Sequence, residues 1–129
     1  MAEINEIRQL IEQREIERMM YEYSYHLDMN HPEQLAALFV EDCEVSYAPN
    51  FGATGMEAYK KTLEGIGSYF RGTSHHNSNI VIDFVSETEA NVRSIVLAIH
   101  RYTKERPDGI LYGQYFDTVV KTDGQWKFK

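Results

Sequence analysis

The sequence predicts an α+β fold, with helices gathered in the first half of the chain and strands in the second. Two observations carry this. Apolar residues recur at helical spacing over residues 3–28, whereas beyond residue 75 they follow strand patterns in four runs separated by turn residues. Helices first and strands afterwards is not the alternation that builds a parallel βαβ sheet. The chain has 129 residues, with no repeat, low-complexity tract or linker, so residues 1–129 read as one domain large enough to bury a core.

Ile4, Ile7, Leu10, Ile11, Ile16, Met19, Met20, Tyr23 and Leu27 supply the stripe of the first helix, residues 3–28, with a break conceivable at Gln13-Arg14. The helix ends near Met29-Asn30-His31, because a residue before Pro32 avoids helical geometry. A short helix over 33–39 turns Leu35, Leu38 and Phe39 inward. Residues 43–48 alternate as a strand, and Pro49-Asn50-Phe51-Gly52 reads as a loop. A third helix starts at Thr54 or Gly55 and ends near Gly67, with Met56, Tyr59, Leu63 and Ile66 along one side. Strands follow at about 75–85, 90–104, 110–121 and 125–129. Asp123-Gly124 between apolar runs marks the last hairpin. Strands of this length twist and curl the sheet.

Both faces of the strand at 90–104 are apolar: Val92, Val96 and Ala98 on one, Ile95, Leu97 and Ile99 on the other. An antiparallel sheet covered by helices on one side should be polar on the other. A second subunit is the natural cover in so small a chain, so a homo-oligomer is expected.

A net charge of −7 argues against binding nucleic acid or acidic membrane surfaces. Cys43 is the one cysteine, so no internal disulfide can form. No apolar run approaches a membrane span and no signal-like stretch opens the chain, so the expected location is cytoplasmic. No His-x-x-x-His or Cys-x-x-Cys spacing suggests a metal, no glycine-rich loop a nucleotide, and no Gly-x-Ser-x-Gly turn a serine nucleophile. No cofactor is expected.

The chemistry-bearing candidates are Asp28, at the end of the first helix, and the doublet His75-His76 at the start of a strand. A histidine oriented by a carboxylate removes a proton near neutral pH without a cofactor. Asp28 sits where the helix dipole disfavours negative charge, a placement that a histidine or ligand would compensate. Alone it also reads as an ordinary loop aspartate. Neighbours on a strand point to opposite faces. Simple alternation groups His76 with Ile80, Ile82 and Phe84, and His75 with Asn77 and Asn79. A bulge between 76 and 80 would reverse that assignment, and Asn77 and Asn79 could line a polar pocket.

Leu27-Asp28, the stretch Leu35 to Val45, His75-His76-Asn77-Ser78-Asn79 and Asp123-Gly-Gln-Trp-Lys-Phe128 together resemble the SnoaL-like branch of the nuclear-transport-factor-2-like (NTF2-like) superfamily. The resemblance implies a cone in which N-terminal helices pack on a strongly curved antiparallel or mixed sheet enclosing a pocket. It implies a cofactor-free lyase of dehydratase or dehydrochlorinase type, acting on a small hydrophobic substrate. Asp28 falls on the family's aspartate and His75 on its histidine, with His76 the second candidate. Tyr23, Tyr47 and His100 fall near positions of pocket tyrosines and a second histidine in dehydratases of that branch. Members usually extend past the point matching Phe128 with a segment that adds an arginine or a lid. The lyases of this kind are trimers, and dimers occur elsewhere in the superfamily. An isomerase or cyclase would use the same base, and a non-catalytic binding or assembly module would use none; this fold hosts many chemistries.

Overall fold

Helix α1 runs unbroken over Ala2–Asp28 in a computed structural model that describes residues 2–129, with side chains described from residue 5 on. Its stripe is used only from Ile16 onward. Ile16, Met19, Met20, Tyr23 and Ser24 are buried, while Ile7, Leu10 and Ile11 are exposed; Ile4 lies outside the described side chains. The reason is reach. Glu12 marks the last turn held by the sheet, accepting from Lys121 Nζ at 2.6 Å and from the Trp126 indole N–H. The earlier turns run past that anchor.

A left-handed Asn30 turns the chain into the short helix α2 (Pro32–Ala36), which begins on its proline and stops three residues earlier than the sequence suggests. Strand β1 (Glu44–Ala48) pairs with β2 (Phe51–Thr54) as a separate antiparallel hairpin. Residues 49–52 were expected to be a loop throughout, and β2 corrects that. Its signal is masked by Gly52, which usually breaks strands. Here a Cβ at Gly52 would stand 2.0 Å from the Val45 carbonyl oxygen, so the close approach of the two strands requires glycine. Helix α3 (Met56–Tyr69) starts after Gly55, at φ 86°, and buries Tyr59 and Leu63.

The second half is a four-stranded antiparallel sheet in the order β3 (Phe70–Phe84), β4 (Glu89–Tyr102), β5 (Gly109–Thr122), β6 (Gln125–Phe128). The fold is α+β, helices followed by a strongly curved antiparallel sheet, in agreement with an NTF2-like cone. Phe128 N–H donates to Leu38 O and Val40 N–H to Phe128 O, which ties the last strand to the segment after α2. The concave face carries Ala90, Val92, Val96 and Ala98, all buried. The convex face carries Ile95, Leu97 and Ile99, each 36–40% exposed in the single chain, beside the more exposed Ile110, Tyr112 and Phe116. The two-faced apolar pattern is therefore present as expected.

Strand β3 begins five residues before the expected position and is interrupted between Ser78 and Val81, where the register shifts. Asn79 sits there with φ 53°. This bulge puts residues on both sides of it onto one face. His75 and Asn77 pair with Ala98 and Val96 on the concave side, and Ile80, Ile82 and Phe84 pack against the same core.

Candidate active site

Asp28 closes α1, on the same helical stripe as Met20 and Ser24, and that stripe faces β3. Asn77 Nδ2 donates to Met20 O at 3.2 Å and to Ser24 Oγ at 2.8 Å. One turn further, Asp28 receives three donors from the same strand. Thr73 Oγ1 donates to Oδ1 at 3.0 Å, and the His75 backbone N–H donates to Oδ2 at 2.9 Å. The His75 ring places Nδ1 2.7 Å from Oδ1. These donors neutralise the unfavourable position of a carboxylate at a helix C-terminus. The His75 side chain is 7% exposed and Asp28 22%. A carboxylate at Nδ1 accepts a hydrogen bond from the Nδ1–H, which leaves Nε2 as the acceptor of the neutral ring.

His100 pairs across the sheet with Thr73, and its ring meets that of His75 edge-on at 5.3 Å between centroids. Burial, and then the neighbouring His75, hold His100 below the ordinary histidine value, against the opposing pull of Asp28 and the Gly109 backbone. The neutral form of His100 is therefore favoured beside the pair.

The tyrosines form a second cluster. Tyr23 from α1 shares a hydrogen bond of 2.9 Å with Tyr47 from β1, and Tyr47 shares one of 2.8 Å with Tyr59 from α3. The Tyr115 ring from β5 meets Tyr23 edge-on at 6.0 Å. Tyr23, Tyr47 and Tyr115 line a cavity of about 790 Å³, together with Asn91, Gln114 and Asp117 among others. Burial raises Asp117 to about 6. Neither Asp28 nor His75 is on that wall. Asp28 and Thr73 border a smaller space of about 180 Å³ near His26 and His31. Tyr23 and Asp28 are five residues apart on one helix, about 7.5 Å along its axis.

Residues 8–129 match the family of the SnoaL-like domain. The chain belongs to that family. This SnoaL-like domain superposes with a TM-score of 0.91 on a protein from Novosphingobium aromaticivorans DSM 12444 that is provisionally named a scytalone dehydratase. The two are 88% identical over 95% of this chain and 82% of the other. It is also similar in fold to a type-3 hexachlorocyclohexane dehydrochlorinase from Novosphingobium barchaimii LL02, with a TM-score of 0.85, 18% identity and coverage of 95% and 85%. A protein of unknown function and cystatin-like fold from Nostoc punctiforme PCC 73102 matches with a TM-score of 0.73, 23% identity and coverage of 92% and 86%. No curated protein matches the chain. No helix among the described residues of this SnoaL-like domain is long and apolar enough to cross a membrane.

Of the residues singled out in the sequence, Asp28, His75 and His100 lie together, and Tyr23 and Tyr47 lie together in a second group. His76 does not join either group. It is exposed on the convex face opposite Leu97, with Nε2 2.9 Å from Ser74 Oγ. Simple alternation failed for the doublet because the Asn79 bulge intervenes. Asn79 lines neither of the two cavities described above but makes the bulge itself. Sequence reasoning missed Thr73, although it shares a face with His75 two residues on. It also read Tyr59 only as part of a helix stripe, and nothing local shows that its hydroxyl meets Tyr47.

Proposed function

We propose that this SnoaL-like domain is a cofactor-free lyase in which His75 is the base and Asp28 orients it. The observation that carries this reading is the 2.7 Å contact between His75 Nδ1 and Asp28, which leaves Nε2 free to take a proton. In the reaction, Nε2 removes a proton from the carbon next to the one bearing the leaving group. The C–H pair becomes the new double bond, and the leaving group departs with its own bonding pair, as halide or as hydroxide that is then protonated. Asp28 stabilises the imidazolium formed. In this reading Tyr23, Tyr47 and His100 donate to the departing atom or to an enolate, and exclusion of water by the bound substrate would strengthen those bonds. The substrate would be small and largely hydrophobic, in keeping with an aromatic wall. The 88% identical relative supports dehydration over other eliminations.

Two measurements test it. A strongly deshielded Nδ1 proton of His75 is expected in the NMR spectrum and should move upfield in Asp28→Asn. In a screen of dehydration and dehydrohalogenation substrates, Asp28→Asn and His75→Ala should each lose about 10²–10⁴-fold in turnover with the fold retained. Turnover near the wild-type rate in either variant removes that residue from the mechanism. A non-catalytic binding module is the second reading, favoured by the larger cavity meeting the tyrosines and not the dyad. Ligand binding unaltered by Asp28→Asn, with no turnover of any substrate, would select it.

A further inference from the structure

Two buried polar atoms have no hydrogen-bond partner among the described residues, Asn77 Oδ1 and Ser94 Oγ. Ser94 is 3% exposed and interrupts a concave stretch of β4 otherwise made by Val92, Val96 and Ala98. Asn77 pairs with Val96, and Ser94 is two residues from Val96 on the same strand. The two are thus diagonal neighbours on one face, with backbones about 7–8 Å apart in an antiparallel pair. The Asn77 amide cannot turn round to relieve its oxygen. Its nitrogen donates to Met20 O, and a carbonyl only accepts. Unpaired atoms of this kind are unfavourable in an apolar interior, and each one in a native fold calls for an explanation.

The surroundings point to the partner. Ser94 lies directly across from Tyr115, and Asn77 is bonded to Met20. Tyr115 and Met20 both line the cavity of about 790 Å³, whereas Asn77 and Ser94 do not, so the pair lies behind that wall. Methionine is unbranched and adapts its shape readily, which makes Met20 the part of the wall able to move. Asn77 Oδ1 only accepts, while Ser94 Oγ donates and accepts. One hydroxyl satisfies both, donating to Asn77 and accepting from Ser94. A carbonyl, an ether or a halide accepts from Ser94 and leaves Asn77 unpaired. We propose that Asn77 and Ser94 form a subsite for one ligand hydroxyl, entered from the large cavity past Met20, and that the ligand is therefore an alcohol or a phenol. A hydroxyl whose proton is held by Asn77 is not helped to depart, so this group anchors the ligand and is not the leaving group. The subsite deepens the proposed function by naming a hydroxylated ligand; it rests on that reading only in taking the cavity as the ligand site, and does not need His75 as a base.

The test uses p-cresol and p-xylene, which differ by one hydroxyl in place of one methyl. Binding of each to wild type and to Ser94→Ala is measured by calorimetry. The expected result is an affinity for p-cresol about tenfold lower in Ser94→Ala, the size of one lost hydrogen bond, with that for p-xylene unchanged. In a crystal grown with p-cresol, its oxygen should stand within hydrogen-bond distance of both Asn77 Oδ1 and Ser94 Oγ. Asp28→Asn, which breaks the dyad, should keep the p-cresol affinity and its dependence on Ser94. A protein that behaves so and turns over no substrate loses the lyase reading and keeps this one. The subsite is overturned by a water that remains between Asn77 and Ser94 with p-cresol bound elsewhere. Equal effects of Ser94→Ala on the two probes overturn it too, as does the absence of p-cresol binding at millimolar concentration.

Discussion

Asp28 and Asp117 are two carboxylates of one cone held in opposite ways. Asp28 accepts from Thr73 and from both the backbone and ring of His75, so its charge is matched donor by donor. Asp117 sits on the inner wall near the tyrosines, and burial alone raises it to about 6. An acid raised in the folded state binds its proton more tightly there than in the unfolded chain. Stability from this group is therefore present below about pH 4 and is lost as pH rises from there through about 6. Above that window the charged Asp117 should destabilise the fold by an amount approaching roughly 3 kcal/mol. Asp117→Asn should accordingly raise the melting temperature at pH 7 and leave it little changed at pH 4. Equal melting temperatures of variant and wild type at pH 7 would show that the carboxylate is solvated and not buried.

At the scale of elements, the site depends on how β3 is drawn. Thr73, His75 and Asn77 face α1, and Ile82 and Phe84 face the same core, only because the chain gains a residue at Asn79. Asparagine tolerates the left-handed backbone there, and a β-branched residue does not. Asn79→Val should destabilise the protein by about 1–2 kcal/mol in chemical denaturation, while Asn79→Gly should be close to neutral. If valine is accepted without loss, the bulge is not what sets the parity of His75. The same logic explains what the sequence shows of each element. The helix of residues 2–28 and the Asp123-Gly124 hairpin, with φ of 51° and 79°, are legible because their signals are local. Strand β2 is hidden because Gly52 serves a contact with a strand that sequence spacing does not reveal.

At the scale of the whole molecule, the convex face of the sheet is the unresolved demand of the fold. Ile95, Leu97, Ile99, Ile110, Tyr112 and Phe116 lie there exposed in the single chain. Contiguous exposed apolar surface of this kind marks an interaction site. We expect a homo-oligomer assembled through this face, a trimer by the resemblance to the lyases of the fold. Leu97→Asp combined with Ile110→Glu should yield monomers in analytical ultracentrifugation. A wild-type protein that sediments as a monomer at micromolar concentration would refute the assembly.

The sequence by itself determined the class of the fold, the order of every element but β2, the apolar character of both sheet faces and the residue types able to do the chemistry. Those properties follow from periodicity and turn chemistry, which act over a few neighbouring residues. The meeting of Asp28 with His75 was suggested by resemblance, not by spacing, since 47 positions separate them. Only the tertiary structure decided that His75 and not His76 turns inward, that Thr73 completes the carboxylate's donors, and that Tyr59 backs Tyr47. Each of those depends on a long-range register: one bulge in β3, and helices α1 and α3 crossing the same concave face. A contact between distant elements is set by packing, and packing leaves no period in the chain for a sequence to display.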